Sequence, residues 1–368
     1  MTKTIRVDLG ERSYDVHVGS GLLELVGPSA SQTDRVSSAV VITDSNVGPL
    51  YADAVMHSLK AAGVRAALID FPAGEQHKTL DTLGAILDEL FTILPPVDRR
   101  TLVIPLGGGV AGDMGGFAAA IALRGMRFLQ VPTSLLADVD ASVGGKTAVD
   151  HAAGKNLIGA FHQPSGVLID VDVLGTLPAE ELRSGLAECV KHAFIRDASL
   201  LEYIEQNAQA ISSCQGEVMT ELIARNVAIK AAVVIEDERE SGVRAHLNFG
   251  HTVGHAIETA EGYGGMTHGQ GVALGMIACC EMARLRGTID ESLVDRLTHV
   301  LRSLGLATTW PNLDPERLWE LMQHDKKTMG GKVRMILPTQ LGAVEIVEDT
   351  DARQVADAIA RIQGKDAS

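Results

Sequence analysis

Side chains suited to binding crowd one stretch of the 368-residue chain, which runs from Arg244 through Asn248 and His251 to His255, with His268 following in a glycine-rich turn. Asn248, His251 and His255 fall at i, i+3 and i+7, the spacing that stacks side chains on one face of a helix. Soluble cores seldom hold an amide and two imidazoles together without a ligand to satisfy them. Two imidazoles and a carboxylate bind zinc and leave a position open for substrate, and His251, His268 and Glu188 make one such set. Glu188 precedes Lys191 by three residues and His192 by four, so these share a helix face. Spacing alone does not choose among His192, His251, His255 and His268, because single helix histidines are usually satisfied by their neighbours. There is no H-E-x-x-H, so nothing suggests a common metallopeptidase.

A second region runs from Thr101 to Asp113, where a strand pattern pours into Gly107, Gly108, Gly109 and Gly112 ahead of a helix expected from Met114 onward. Glycine lets a ligand approach the backbone, and the unpaired N–H groups of a helix N-terminus suit a diphosphate. The stretch is neither G-x-G-x-x-G nor a Walker loop, and a tight turn that needs glycine for packing is the plainer alternative. Two other strand ends carry Asp44 and Glu75, carboxylates suited to accepting both hydroxyls of a ribose, or to capping a helix or turn. Between Val131 and Asn156 stand two Gly-Lys pairs, at Lys146 and Lys155, read as loops that turn an ammonium toward an anion or a carbonyl. A solvated loop would explain one pair. Asp140 and Asn156 nearby favour a sugar-like or carboxylated ligand.

The elements that must position these groups fall into two halves. Strand patterns at Ile5 to Leu9, Tyr14 to Val18, Ala39 to Thr43, Ala66 to Phe71, Thr101 to Leu106 and Phe128 to Val131 alternate with helical patterns near Pro49 to Ala62 and Leu80 to Phe91. They predict an α/β domain with a mostly parallel sheet over residues 1–177, with ligand sites at the C-terminal strand ends. After Leu177-Pro178 the patterns predict a mainly helical domain over 178–368, closed by a hairpin at Lys332 to Pro338 and Val344 to Val347 and a helix at Asp351 to Ile362. The site is expected in the cleft between the halves.

A hydrophobic content of 46% supports a large core, and the length favours two domains. A formal charge of -15 argues against a nucleic-acid partner, so any anionic ligand must be held by local basic residues. No apolar run reaches the roughly 18 to 20 residues that span a bilayer, and the first residues lack the apolar block of a signal peptide. A cytoplasmic protein with no membrane partner is expected. Cys189, Cys214, Cys279 and Cys280 lack zinc-knuckle spacing and are expected to be reduced.

Several phrases together resemble the 3-dehydroquinate synthase family: LGGGVAGDMGGFAA, LRGMRFLQVPTSLLADVDASVGGKTAV, GKNLIGAFHQP, LRSGLAECVKH, NFGHTVGHAIE, HGQGVALGM and DKKTMGGKVRMILP. With Asp44 they extend the resemblance to about Pro338, nearly the whole chain. It implies a Rossmann-like NAD-binding domain followed by a mainly α-helical metal-binding domain, assembled as a homodimer. It also implies NAD+ and one divalent metal ion, Zn2+ or Co2+. The implied reaction turns 3-deoxy-D-arabino-heptulosonate 7-phosphate into 3-dehydroquinate and phosphate by transient oxidation, phosphate elimination, re-reduction and intramolecular aldol closure.

Carried over residue by residue, the resemblance makes Glu188, His251 and His268 the metal ligands. His255 becomes a substrate-site residue, and His192 drops out because the family usually has tyrosine there. NAD contacts are implied for Asp44, Asn46, Glu75, Lys78, Gly108, Gly109, Asp113, Thr133, Ser134, Asp140, Lys146, Lys155 and Thr176. Substrate and catalytic contacts are implied for Lys146, Asn156, Lys191, Lys230, Arg244, Asn248 and His255, with Asp140 and one of Lys326 and Lys327 also at the substrate. Arg124 resembles the family arginine that reaches the substrate of the neighbouring subunit.

The chain departs from the family pattern at Ser134, at His192-Ala193 and at Gln270, where a carboxylate expected near the metal is lost. Three rival readings remain: a sister cyclase acting on another phosphorylated sugar, a polyol dehydrogenase that accumulates NADH, and a catalytically silent binding protein.

Overall fold

The runs Ala39–Asp44 and Leu102–Gly107 are buried at every position, as befits central strands of a parallel sheet covered on both faces. The computed structural model describes residues 1–33, 36–94, 96–240, 242–262, 265–326 and 333–364. They form two compact units, Met1–Leu177 with Cys214–Ile235, and Pro178–Ser213 with Glu236–Ser368.

The first unit contains β1 (Lys3–Val7), β2 (Tyr14–Gly19), α1 (Val26–Gln32), β3 (Ala39–Asp44), α2 (Gly48–Ala61), β4 (Ala66–Phe71), α3 (Leu80–Thr92), β5 (Leu102–Gly107), α4 (Gly109–Ile121) and β6 (Leu129–Pro132). A hairpin of β7 (Lys146–His151) and β8 (Gly154–Phe161) precedes β9 (Gly166–Asp170). Seven strands make one sheet in the order β1-β2-β9-β6-β5-β3-β4, antiparallel only at the β1–β2 edge. Side-chain alternation in β3 divides the core. Val40 and Ile42 face α3 and α4, while Ala39 and Val41 face α1 and α2. The chain leaves β3 outward to β4 and returns to β5 on its other side, so the ends of β3 and β5 flank a topological switch point, where open α/β sheets bind ligands.

The second unit contains α5 (Ala179–Arg196), α6 (Ala198–Ser212), α8 (His251–Glu261), α9 (His268–Leu285), α10 (Glu291–Ser303), α11 (Pro315–Lys326), the hairpin β10 (Met335–Gln340) and β11 (Ala343–Val347), and α12 (Ala352–Ile362). Helix α7 (Gly216–Glu236) follows α6 in the chain, yet its residues up to Ile235 belong to the first unit. Lys3 and Glu221 form an ion pair there, and the Cys214 thiol donates to the Leu174 carbonyl at 3.8 Å. The helical half is therefore not one continuous stretch, as the sequence pattern had it.

The α8–α9 contact is made by glycines. A Cβ at Gly275 would lie 1.9 Å from the Gly250 carbonyl oxygen, and one at Gly254 would lie 2.8 Å from Gly271. Such close approach sets the spacing between the His251 and His268 backbones. All four cysteines are free thiols. Among the described residues no helix is long and apolar enough to cross a membrane.

Candidate active site

In the first unit, the site residues gather at the C-terminal ends of parallel strands. Asp44 ends β3, Glu75 lies in the turn after β4, Gly108 and Gly109 follow β5, Thr133 and Ser134 follow β6, and Thr176 ends the helical turn after β9. Helix α4 begins at Gly109, earlier than the expected start at Met114, so its free N–H groups stand directly behind the glycines. Added Cβ atoms separate two groups of glycines. At Gly112, Gly115 and Gly116 they would strike Gln130, Pro105 and Thr147 at 2.2, 2.8 and 2.6 Å, which is packing. At Gly108 and Gly109 the nearest atoms are 3.4 and 3.7 Å away, so packing does not demand glycine at either position.

Asp44 partly takes the plainer role of a cap, because its Oδ1 accepts from the Asn46 and Val47 amides at 2.9 and 3.0 Å. Its Oδ2 points toward Gly107, across the switch point, 3.3 Å from where a Cβ there would sit. Lys78 is buried and donates to the Asp113 carboxylate and to the Asn156 amide oxygen, each at 2.5 Å. Burial opposes its charge, but Asp113, Glu75 and Asp150 outweigh burial and hold the ammonium above its ordinary pKa. Burial pushes the Asp113 carboxyl up to about 6 against the pull of Lys78.

The two Gly-Lys pairs lie on the β7–β8 hairpin and not on loops. Lys146 opens β7, and Lys155 in β8 lies 3.6 Å from Glu75. Asn156 has φ 55, a left-handed backbone, and its N–H donates to Asp150 at 2.7 Å. Asp140 lies in a π-helical turn, Ala137–Ala141, where its carboxylate and carbonyl both accept from the buried Lys230 ammonium. Arg124 is exposed on a turn where Leu123 and Arg124 have φ 50 and 64, two successive non-glycine residues in a strained region.

In the second unit, α5 buries Glu188, Lys191 and His192. Lys191 pairs with Glu188 Oε2, and Glu188 Oε1 is buried with no hydrogen-bond partner among the described residues. His251 Nε2 lies 3.6 Å from that orphaned oxygen and His268 Nε2 lies 3.9 Å from it. Ligand-type atoms of Glu188, His251 and His268 all lie within 4.8 Å of one another. Each imidazole is held from behind, His251 Nδ1 by the Phe249 carbonyl at 3.2 Å and His268 Nδ1 by Glu258 Oε1 at 3.1 Å. Burial, with Lys191 and the other imidazoles adding to it, keeps His251 neutral, the form that binds a metal. Burial also opposes charge on His268, but Glu258 and Glu188 prevail and raise its pKa. An orphaned buried carboxylate oxygen facing two Nε2 atoms fits a divalent cation.

Asn248 does not share a helix with the histidines. It ends a 3-10 turn, Val243–Asn248, and Gly250 breaks the path with φ 80 before α8 starts at His251. Its amide donates to Glu240 at 3.4 Å. Arg244 is buried, with its guanidinium on the Glu238 carbonyl at 2.5 Å. His255, one turn along α8, brings its ring centroid to 5.4 Å from His251 and 5.8 Å from His268. Gln270 is turned to the backbone of Ala307, so the carboxylate missing there is replaced by a structural amide. Lys327 and the side chain of Lys326 lie outside the described residues. Sequence reasoning missed Glu258, although its i+7 spacing from His251 was a usable signal.

This fold is shared with sugar phosphate cyclases. The chain is similar to 2-epi-5-epi-valiolone synthase from Streptomyces hygroscopicus, solved with NAD+ and Zn2+ bound, with a TM-score of 0.87 and 29% identity over 97% of this chain and 98% of that one. It is similar to 2-deoxy-scyllo-inosose synthase, solved with carbaglucose-6-phosphate, NAD+ and Co2+, with a TM-score of 0.86 and 26% identity over 98% and 100% of the two chains. Within that class the sequence is more specific. Residues 68–184 match the family model of the 3-dehydroquinate synthase N-terminal region, and residues 185–328 match that of its C-terminal region. A 3-dehydroquinate synthase of Desulforamulus reducens is 45% identical over 347 residues, 94% of this chain and 96% of that relative. The chain belongs to the 3-dehydroquinate synthase family.

Proposed function

We propose that the protein converts 3-deoxy-D-arabino-heptulosonate 7-phosphate to 3-dehydroquinate and phosphate, a phosphorus–oxygen lyase step on the shikimate route to aromatic amino acids. The observation that carries this reading is the cluster of buried Glu188 with half-buried His251 and His268 in a chain of this family. Those residues would hold one divalent ion, Zn2+ by preference and Co2+ equally suited to the donor set. The strand ends from Asp44 to Thr176 would hold NAD+. When bound, the nucleotide supplies a reversible hydride acceptor and the ion a Lewis acid for the sugar hydroxyls.

The chain's own residues then divide the remaining work. Asp44 and Glu75 accept from ribose hydroxyls, while the amides behind Gly108 and Gly109 meet the diphosphate. Asn46, Lys78, Asp113, Thr133, Ser134, Lys155 and Thr176 complete the nucleotide contacts, and Asp140 and Lys146 serve nucleotide and substrate alike. Lys146, Lys191, Lys230, Arg244 and one of Lys326 and Lys327 neutralise the substrate phosphate and carboxylate in a chain of net charge -15. Asn156 gives its amide oxygen to Lys78, which leaves its nitrogen as the donor to phosphate. Asn248 and His255 hydrogen-bond the sugar acid. The substrate phosphate itself takes the C6 proton, so His255 acts as a relay and not as an obligatory base.

The assembly is a cytoplasmic homodimer in which Arg124 reaches the neighbouring active site. The test is purified protein with heptulosonate phosphate, catalytic NAD+ and zinc, following phosphate release and the mass of the carbocycle. Stoichiometric phosphate with no lasting NADH absorbance is expected. Net NADH accumulation would assign a polyol dehydrogenase instead.

A further inference from the structure

We propose that Glu258 is a positioning residue of the metal centre, which holds His268 by Nδ1 so that Nε2 is the atom presented alongside Glu188 and His251. It rests on the reading of those three residues as metal ligands. Glu258 lies on α8 at i+7 from His251, two turns along the same face, and its Oε1 accepts from His268 Nδ1 at 3.1 Å. An imidazole that gives its Nδ1 proton to a carboxylate has its Nε2 lone pair free, a fixed ring orientation and greater basicity. His251 is treated in the same way by the Phe249 carbonyl at 3.2 Å, so both ligand histidines share one tautomer, each set by a different oxygen.

The packing is arranged around this contact. A Cβ at Gly271 would lie 2.8 Å from Glu258 Oε1 and 2.9 Å from its Cγ, so only glycine there leaves room for the Glu258 side chain beside α9. Gly269 does the same on the other side. Its missing Cβ would meet the Ser184 backbone at 2.3 Å, and its N–H donates to Ser184 Oγ at 2.9 Å, which seats the first turn of α9 on α5 one turn before Glu188. His268 is the first residue of α9, so its ring is aimed by these two contacts and by Glu258.

A direct ligand role is the competing use of the same atoms, since ligand-type atoms of His255, Glu258 and His268 also lie within 4.8 Å of one another. That use would consume Nδ1 of His268, so stoichiometry separates the two. The experiment is zinc titration of the metal-free full-length protein by chelator competition for wild type, H251A, E258A and E258Q, with apo melting temperatures and the visible spectrum of the Co2+ forms. Wild type is expected to bind one ion and H251A none tightly. E258A should bind one ion about 10- to 100-fold more weakly with an altered Co2+ spectrum and an unchanged apo melting temperature. E258Q, which keeps an acceptor for Nδ1–H, should recover part of the affinity. Wild-type affinity in E258A would overturn the inference while leaving the metal site standing. Two ions in wild type falling to one in E258A would overturn it by making Glu258 a ligand. Tight zinc binding by H251A would instead remove the metal reading beneath it.

Discussion

Gln270 grips the backbone of Ala307 at two points, its amide nitrogen donating to the Ala307 carbonyl at 3.1 Å and its amide oxygen accepting from the Ala307 N–H at 3.4 Å. Only an amide can do both. The grip ties the first turn of α9, which begins with His268, to the segment that follows α10.

A carboxylate at position 270 could still accept from the Ala307 N–H, but it would face the Ala307 carbonyl with nothing to donate. Q270E should therefore destabilise the protein by about 1 to 3 kcal/mol, the cost of an unsatisfied pair with added lone-pair repulsion. Thermal and urea unfolding of the metal-free protein checks this. A melting temperature equal to wild type would mean that the grip contributes nothing.

The metal centre gives a second expectation. E188Q keeps the shape of the side chain but removes the charge that faces both Nε2 atoms, and it weakens the partner of Lys191, which is buried at 1% exposure. The variant should lose tight zinc, and a buried ammonium without its carboxylate should lower stability by about 3 to 5 kcal/mol. Elemental analysis after gel filtration reads the first effect and denaturant unfolding the second. A full complement of zinc in E188Q would remove Glu188 from the ligand set.

Much of this site was readable from residues because its chemistry lies in side-chain type. The three- and four-residue spacings that put Glu188, Lys191 and His192 on one helix face hold in α5, which buries all three. The strands that end at Asp44 and ahead of Gly108 were legible as β-branched runs closed by polar or glycine residues. Other features depend on tertiary contacts that local pattern does not encode. Asn248 looked continuous with His251, but Gly250 between them takes φ 80, and a side chain there would also strike Met276 and Val272 on α9. Strand β9 hides in five residues, Gly166–Asp170, whose pairing with β2 and β6 brings distant parts of the chain together. The β7–β8 hairpin read as loops because its glycines and lysines mask a strand whose packed face includes only Ile158 and Ala160 from β8.

Asp138 sets a pH dependence of stability. It is fully buried, neither carboxylate oxygen has a hydrogen-bond partner among the described residues, and burial, with Asp170 adding to it, holds its pKa well above 3.8. The folded protein therefore keeps a proton that the unfolded chain releases above 3.8. This group's contribution is most favourable below that value and declines as pH rises from there toward the folded pKa. D138N removes the titration at nearly constant volume, so its melting temperature relative to wild type should be higher at about pH 8 than at about pH 4. Parallel melting curves with a constant difference across that range would show that Asp138 does not titrate in this way.

Arg124 offers the sharpest test of the proposed assembly. Its exposed side chain stands on a turn with two successive left-handed residues, Leu123 and Arg124, a conformation that persists only where the surroundings impose it. If Arg124 serves the neighbouring active site, R124A and K146A homodimers are each nearly inactive. A mixed dimer then has one complete site, in the R124A subunit, which keeps its own Lys146 and receives Arg124 from its partner. Random exchange makes half of the dimers mixed, so activity should recover to about one quarter of wild type. If Arg124 instead serves its own subunit, every site in the mixture lacks one of the two residues and nothing is recovered. Native mass spectrometry of the mixture establishes that exchange occurred, and stable mixed dimers without activity would place Arg124 outside the neighbour's site.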